Sequence, residues 1–483
     1  MDWFTADGYW LGRLVFQRGL AAVYLVAFVA AALQFRALIG SRGMLPVPDL
    51  LRHTSWRAAP GLFRLHYSDR FFGLVAWTGA AVSLALLAGA DAHVPLGAAM
   101  ALWALPWVLY LSIVQVGQVW WGFGWESLLL ETGFLAVFLG NGDTAAPVLV
   151  LWLLRWLLFR VEFGAGLIKI RGDECWRRLT CLDFHHETQP MPGPLSWFFH
   201  HLPRPAHRVE TAANHVTQLV VPFLLLTPQP VASAAAGLMV VTQLWLILSG
   251  NFAWLNWLTV VIALSVIDWS PLAGPPPDQP GSPLWFEVVV LVVTVLVLVL
   301  SRHPVRNLLS RRQAMNRSFD PLHLVNTYGA FGSISRMRLE VVVEGTADEV
   351  VHDGTRWLEY GFRGKPGDPR RLPRQFAPYH LRLDWMMWFA ALSPAYARSW
   401  FGPFVERLLR DDRDTLRLLG HNPFPGGPPS HIRARVFHYR FTDPAELRAT
   451  GRWWERTYVR DFMRPVAGPV PLRPGREAAD DQG

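Results

Sequence analysis

Charged residues are scarce in this sequence of 483 residues: they make up 17% of it, whereas hydrophobic residues make up 52%. The apolar residues are gathered into long runs, which excludes an ordinary water-soluble protein and indicates a chain that crosses a membrane several times. Zinc-finger, Walker and glycine-rich phosphate-binding motifs are absent, so nucleic acid is not a predicted partner. The first residues lack a basic segment and a small-residue cleavage site, which favours a retained first span over a removed signal peptide.

Hydrophobic segments predict a bundle of about nine membrane-spanning helices. The clearest run, 284–300, is interrupted only by Glu287 and Thr294 and reaches across most of a hydrocarbon core about 30 Å thick. Each span is expected to be helical, because lipid offers no partner to backbone amides. The other predicted spans are roughly 19–39, 71–90, 94–117, 119–139, 146–170, 212–227, 231–250 and 251–268.

Lysine is nearly absent as well: the basic residues are 43 arginines and 2 lysines. The arginines gather in 40–70, in 169–210 and after 302, whereas the turns near 91, 143, 229 and 268–283 carry no basic residue. With nine spans, the three basic segments fall on one side of the membrane, which the positive-inside rule makes cytoplasmic. These arginines are expected to contact anionic lipid headgroups.

The composition changes after about residue 302. In 337–344 apolar and charged residues alternate, which is typical of a strand with one buried face. We therefore predict a multi-pass helical membrane domain, 1–318, followed by a soluble, strand-rich domain of the β-sandwich or α+β kind, 319–465. Further strands are expected at 356–362 and 433–442, an apolar helix or membrane-hugging surface at 379–392, an amphipathic helix at 404–419, and a disordered tail at 466–483.

Six ionisable residues lie within two neighbouring predicted spans: Glu126, Glu131, Arg155, Arg160, Glu162 and Lys169. Arg155, Glu162 and Lys169 are spaced by seven and project from nearly one helix face. Each costs at least ~2.5 kcal/mol at mid-bilayer depth, so this face is expected to point into the bundle. The set forms either buried ion pairs that fix helix packing, with the glutamates as partners of the cations, or a polar pocket that Asn214 and Gln218 also line.

A loop at 166–210 follows these charges and is rich in histidine. His185, His186 and Glu187 are candidates for general acid–base roles, unless they are satisfied polar groups where the loop folds back on the bundle. No metal site is predicted, because no HExxH spacing occurs and adjacent histidines seldom ligate one metal; no cofactor is assigned. Cys175 and Cys181 form either a small-loop disulfide or two buried thiols, and we favour the thiols.

The segment GLIKIRGDECWRRLTCLDFHHETQPMPGPLSWFFHHLP (166–203) resembles the signature block of the lipase maturation factor family. FDPLHLVNTYGAFGSISRMRLEVVVEGT (319–346), YHLRLDWMMWFAAL (379–392) and NPFP (422–425) agree with it. The resemblance covers most of 1–465 and implies a membrane protein that helps clients, notably dimeric lipases, to fold, in eukaryotes in the endoplasmic reticulum, with no established reaction. The block corresponds here to Arg171, Gly172, Asp173, Cys175, Trp176, Leu179, Cys181, Asp183, Phe184, His185, Glu187 and Gln189.

We therefore expect a folding factor whose 169–210 loop and C-terminal domain together hold a partly folded client. Its expected partners are this client, with lipases as the candidate class, and membrane lipids; the arginine bias indicates a bacterial cytoplasmic membrane. The alternative is a membrane enzyme acting on a lipid-like cofactor or substrate, because the bundle also resembles, more distantly, the vitamin K-dependent carboxylases. A deep pocket joining the span charges to His185 and Glu187 would favour the enzyme, and a filled bundle beneath an exposed apolar groove on 319–465 the folding factor.

Overall fold

The computed structural model describes residues 3–274 and 281–467, which form a helical bundle followed by a small antiparallel sheet with helices beside it. Within these residues, five helices are long and apolar enough to cross a membrane, so the chain is a multi-pass integral membrane protein. They are α1 (Trp10–Leu38), α2 (Asp69–Leu87), α3 (Leu96–Val116), α7 (Val231–Ser249) and α9 (Leu284–Leu309).

The remaining predicted spans are helical but shorter or more polar. They contain α4 (Gly124–Ala136), α5 (Val148–Arg171), α6 (Arg204–Leu219) with the short helix Val221–Leu224, and α8 (Leu255–Leu264). Helix α5 has 24 residues and is long enough to span, but it carries five of the chain's basic and acidic residues along its length. The count of about nine spans therefore stays a prediction beyond these five helices.

The bundle is packed around α1, which contacts α2, α8 and α4. Tyr24, Phe28 and Phe35 on α1 are fully or almost fully buried, and Phe28 meets the ring of Tyr110 at 5.3 Å between centroids. At Gly79 on α2 any side chain would collide with the Phe28 ring, so this glycine lets the two helices approach closely. Because the hydrophobic effect does not drive helices together within lipid, close packing at small residues supplies the attraction at such crossings.

The C-terminal part is built on one sheet of four antiparallel strands in the order β2-β1-β3-β4. The strands are β1 (Arg338–Thr346), β2 (Leu358–Glu359), β3 (His431–Phe441) and β4 (Trp454–Ala467). The strands predicted at 337–344 and 433–442 are confirmed as β1 and β3. The sandwich was wrong: within the described residues there is no second sheet, and helix α10 (Arg382–Leu392) packs against β1 instead.

The apolar helix predicted at 379–392 is confirmed as α10, which is buried within the protein. Two other predictions for this part need correction. The helix predicted at 404–419 is two helices, α11 (Phe401–Leu409) and the short Arg413–Leu416, because Asp411 has a φ of 53° and Asp412 caps a new start. The first two residues of the predicted tail belong to β4; the rest of the tail lies outside the described residues.

Candidate functional site

Glu131 on α4 and Arg160 on α5 form a buried ion pair, as the sequence predicts. Both side chains are 1% exposed, and Arg160 donates to both carboxylate oxygens. Glu131 also accepts hydrogen bonds from the backbone and side-chain N–H of Asn326, at 3.0 and 2.9 Å, and from the Tyr328 hydroxyl at 2.6 Å. This full set of partners offsets the cost of burying the charges and fastens the bundle to the segment that leads into β1.

Glu126 pairs with a residue that sequence reasoning missed. Its partner is Arg382 at the start of α10, at 2.7 Å, and neither side chain is more than 1% exposed. The guanidinium lies over the Trp121 ring at 3.8 Å from the centroid, and the Tyr110 hydroxyl donates to Glu126. The only sequence signal was an arginine inside an apolar helix. This pair joins the bundle directly to the C-terminal part.

Arg155 is not a partner of Glu162, contrary to prediction. Its guanidinium donates to the Tyr9 hydroxyl at 3.0 Å and to the Leu225 carbonyl at 3.3 Å, and it lies 4.7 Å from the Trp152 ring centroid. In the described part of the chain no carboxylate contacts it. Arg155 therefore lies apart from the other five charges.

Glu162 and Lys169 are connected through amide side chains rather than by direct contact. Lys169 Nζ donates to Asn214 Oδ1 and Gln218 Oε1, both at 2.8 Å. Glu162 accepts from Gln218 Nε2 at 3.2 Å and from Gln243 Nε2 at 2.7 Å. Asn214 and Gln218 thus hydrogen-bond between helices, and they also line the same space as Glu162 and Lys169.

That space is a cavity of about 1740 Å³ between α5, α6, α7, α8 and α10. Glu162, Lys169 and His185 line it, but Glu187 does not. The Glu187 carboxylate accepts from the backbone N–H of Phe441 at 2.7 Å instead. A pocket that joins the span charges to His185 and Glu187 would favour an enzyme. The cavity joins Glu162 and Lys169 to His185 but does not include Glu187.

Cys175 and Cys181 form a disulfide, so the prediction of free thiols was wrong. Asp173 caps the short helix Glu174–Arg177, and Leu179 takes a φ of 57°, which turns the chain back on itself. The two Cα atoms come to 4.8 Å, within the range of disulfides. The short sequence separation of the two cysteines is compatible both with a disulfide and with two free thiols. The backbone turn at Leu179 brings them close enough to form the disulfide.

Replacing both cysteines with serine is expected to lower the free energy of unfolding by about 2 kcal/mol, the chain-entropy value for so small a loop. The measurement is thermal unfolding of the purified protein in detergent, compared with the parent and with the two single variants. An unchanged melting temperature in the double variant would contradict the expectation.

Arg338 on β1 fastens the 166–210 loop to the sheet. It is 1% exposed and donates to the carbonyls of Glu187, Gln189 and Pro190 at 2.9, 2.5 and 3.1 Å. Its charge is balanced by Glu340 at 2.6 Å. Because one guanidinium satisfies three loop carbonyls, the loop is held in one conformation on the edge of the sheet.

Two further contacts extend this junction along the loop. Asp173 accepts from Arg336 at 2.8 Å, and this hydrogen bond lowers the pKa of the Asp173 carboxyl. Near the other end of the loop, Trp197 Nε1 donates to the Thr442 carbonyl at 2.8 Å. The loop and the sheet therefore form one unit, which we call the cap: residues 171–203 and 334–467.

The candidate histidines lie in the interior of the cap. His185 is 5% exposed beside the rings of Phe331 and His186, and burial lowers its pKa well below 6.5, so it is neutral at pH 7. Burial raises the pKa of Glu187. Acid–base roles for His185, His186 and Glu187 stay predictions. Among the described residues no group of three or more His, Cys, Asp or Glu side chains is arranged to hold a metal ion.

Comparison with known proteins covers both parts of the chain. Residues 11–273 match the model of the lipase maturation factor transmembrane domain, and residues 324–464 that of the lipase maturation factor C-terminal domain. The chain is 42% identical to lipase maturation factor 1 of Bos taurus, over 96% of this chain and 90% of the relative. For lipase maturation factor 1 of Homo sapiens the values are 42%, 95% and 88%, and for lipase maturation factor 2 of Homo sapiens 30%, 95% and 83%. No solved structure matches the chain.

Proposed function

Because this chain belongs to the lipase maturation factor family, we propose that it is a membrane-embedded maturation factor that assists the folding or assembly of client proteins, lipases first among them. The observation that carries the proposal is the match over nearly the whole chain, including the cap, to relatives named for this role. The carboxylase-like enzyme is not favoured, because the relatives found carry the maturation-factor name and Glu187 lies outside the cavity.

We place the client on the exposed apolar part of the cap, where the loop meets the sheet. Leu195 and Phe198 are 40% and 51% exposed. The Phe198 ring lies 6.3 Å from that of Trp453, which packs in turn against Trp197. Aromatic side chains held rigidly at a surface suit the capture of apolar segments that a partly folded chain has not yet buried.

The edge of the sheet offers a second element of the same surface. Strand β4 pairs with β3, and no strand in the described ranges pairs with its outer edge. Tyr458, Val459 and Val466 on it are 43–49% exposed. Such an edge can accept an extended segment of a client as an added strand, with main-chain hydrogen bonds that do not depend on the client's sequence.

The same proposal includes the organisation of the chain. We propose a membrane domain of about nine spans, 1–318, in contact with membrane lipids, and a client-binding domain, 319–465. The arginine bias supports a bacterial cytoplasmic membrane as its location. The ion pairs from Glu126 and Glu131 support a role of the bundle in positioning the cap.

The proposal predicts that Phe198→Asp lowers the yield of active lipase without unfolding the factor. In cells that lack their own maturation factor, the parent and the variant are co-expressed with a dimeric lipase, and secreted lipase activity and dimer content are measured. A loss on the order of fivefold is expected, the size of one moderate contact in a binding surface.

Val350→Asp is the matched control, because Val350 is 73% exposed in the cap and follows the end of β1 opposite to Arg338, which binds the loop. It is expected to leave lipase activity unchanged. Equal losses with both variants, or no gain in active lipase from the parent itself, would contradict the proposal.

A further inference from the structure

The cavity beneath the cap is too large to be a packing defect. Protein interiors contain few voids larger than a water molecule, because unfilled space forfeits dispersion contacts along its whole lining. At about 1740 Å³ the space also exceeds the range of about 300–1,000 Å³ typical of small-molecule sites. An occupant must therefore fill it when the protein is in the membrane.

One wall of the cavity is polar and carries no net charge. A continuous row of hydrogen bonds runs from Lys169 through Gln218, Glu162 and Gln243 to Asn256, whose Nδ2 donates to Gln243 Oε1 at 2.7 Å. The single acid and the single base of this row balance each other. Asn256 is 5% exposed, and its Oδ1 has no hydrogen-bond partner among the described residues. An uncharged group with a hydrogen to donate would complete this wall.

The facing wall is apolar and aromatic. Phe123 and Trp125 line it from the bundle, and Trp385, Met386 and Phe389 line it from α10. Such a surface binds hydrocarbon. The occupant therefore needs both an uncharged polar part and an apolar part of considerable volume.

The mouth of the cavity faces the membrane. Val209 on α6 and Leu238, Val241 and Trp245 on α7 line the cavity and are 43–69% exposed. Helix α7 is one of the five helices able to cross a membrane, so its exposed apolar face meets acyl chains. The molecules that reach this mouth are those dissolved in the bilayer.

We propose that the cavity binds an uncharged membrane lipid with hydroxyl and ester groups, of the diacylglycerol class. Its polar part lies along the row from Lys169 to Asn256, and its chains lie against the aromatic wall and pass out between α6 and α7. The site does not rest on the proposed function, because its occupancy is measured without a client.

The test is binding of dioleoylglycerol to the full-length protein in detergent, followed by native mass spectrometry. Ala165→Phe fills the cavity from α5 and is expected to weaken binding by at least about tenfold. Asn256→Leu removes the unpartnered acceptor and is expected to weaken it about tenfold, the loss of one buried hydrogen bond. Ala234→Phe adds the same ring to the exposed face of α7, outside the cavity, and is the matched control with unchanged binding.

Equal binding by the Ala165→Phe and Ala234→Phe variants would overturn the proposal. A preference for dioleoylphosphatidylglycerol, an anionic lipid, would also overturn it if Arg312→Gln abolishes this preference and Asn256→Leu does not. That result would assign the lipid to the arginines that line the cavity, such as Arg312. If the Ala165→Phe variant fails to fold, the site is tested by photolabelling the parent protein with a photoactivatable diacylglycerol. Labelling of α5, α6, α7, α8 or α10, the helices that line the cavity, supports the site, and labelling confined to other helices refutes it.

Discussion

Replacing Glu126 with glutamine is expected to lower the free energy of unfolding by about 3–5 kcal/mol, the cost of leaving one member of a buried ion pair without its partner. Arg382 is fully buried, and Glu126 is the one carboxylate within ion-pair distance of it in the described part of the chain. Glutamine keeps the shape of the side chain but not its charge. The guanidinium would then keep only neutral partners, such as the Trp121 ring and the Trp120 carbonyl, and no counter-charge.

The measurement is unfolding in mixed micelles of increasing denaturing-detergent fraction. The double variant Glu126→Gln with Arg382→Met is expected to recover much of the loss, because it leaves no unpaired charge in the interior. Glu174→Gln is the control, because it removes the same charge from a pair at the surface. Its partner Arg178 is 71% exposed and Glu174 itself is 59% exposed, so the variant is expected to lower the free energy of unfolding by only about 0–1 kcal/mol. A loss no larger for Glu126→Gln than for Glu174→Gln would mean that the pair does not hold the cap on the bundle.

The sequence predicted what local pattern determines. Long apolar runs place α1, α2, α3, α7 and α9, because a span must be apolar along its length to lie in lipid. Strands β1 and β3 were found from the alternation of their residues, and in β3 it corresponds to one buried side. In β1 both sides are buried, because the charged residues of the pattern, such as Arg338 and Glu340, are paired in the interior. Strand β4 was missed for the opposite reason: nearly all of its side chains are exposed, so it has no alternation to read.

The candidate site could be predicted only in part, because its partners come from distant parts of the chain. The spacing by seven correctly predicted that Glu162 and Lys169 point inward, and both line the cavity that Asn214 and Gln218 also line. Nothing local linked Glu126 to Arg382, 256 positions away, or Arg338 to the carbonyls of the loop. The state of the two cysteines could not be predicted for a different reason: the disulfide depends on one backbone turn, which the spacing of the cysteines does not specify.

The structure also divides five of the six intramembrane charges between the two roles considered for them, and Arg155 has neither role. Glu126, Glu131 and Arg160 have direct partners of opposite charge and lie outside the cavity lining. Glu162 and Lys169 line the cavity and have amide partners instead. Helix positioning and ligand binding are therefore tasks of different residues, and substitutions in the two groups should have separable effects.

Glu131→Gln tests that division with an expected loss of about 3–5 kcal/mol in the free energy of unfolding. Arg160 would stay buried without a counter-charge, and the donors from Asn326 and Tyr328 would face a weaker acceptor. Tyr328→Phe removes one donor and no charge, so it should cost only about 1.5–3 kcal/mol, and Glu131→Gln combined with Arg160→Met should regain much of the loss.

The division requires a second outcome from the same variant. At a temperature where the Glu131→Gln protein is still folded, its binding of dioleoylglycerol should equal that of the parent, because Glu131 does not line the cavity. Glu162→Gln should do the reverse. It removes the charge that balances Lys169 and replaces one of the two oxygens that accept from Gln218 and Gln243 with an NH₂ group, so it weakens binding. It costs less stability than Glu131→Gln, because Lys169 keeps its amide acceptors. If both variants lose stability and binding in equal measure, these charges act as one cluster and the division is wrong.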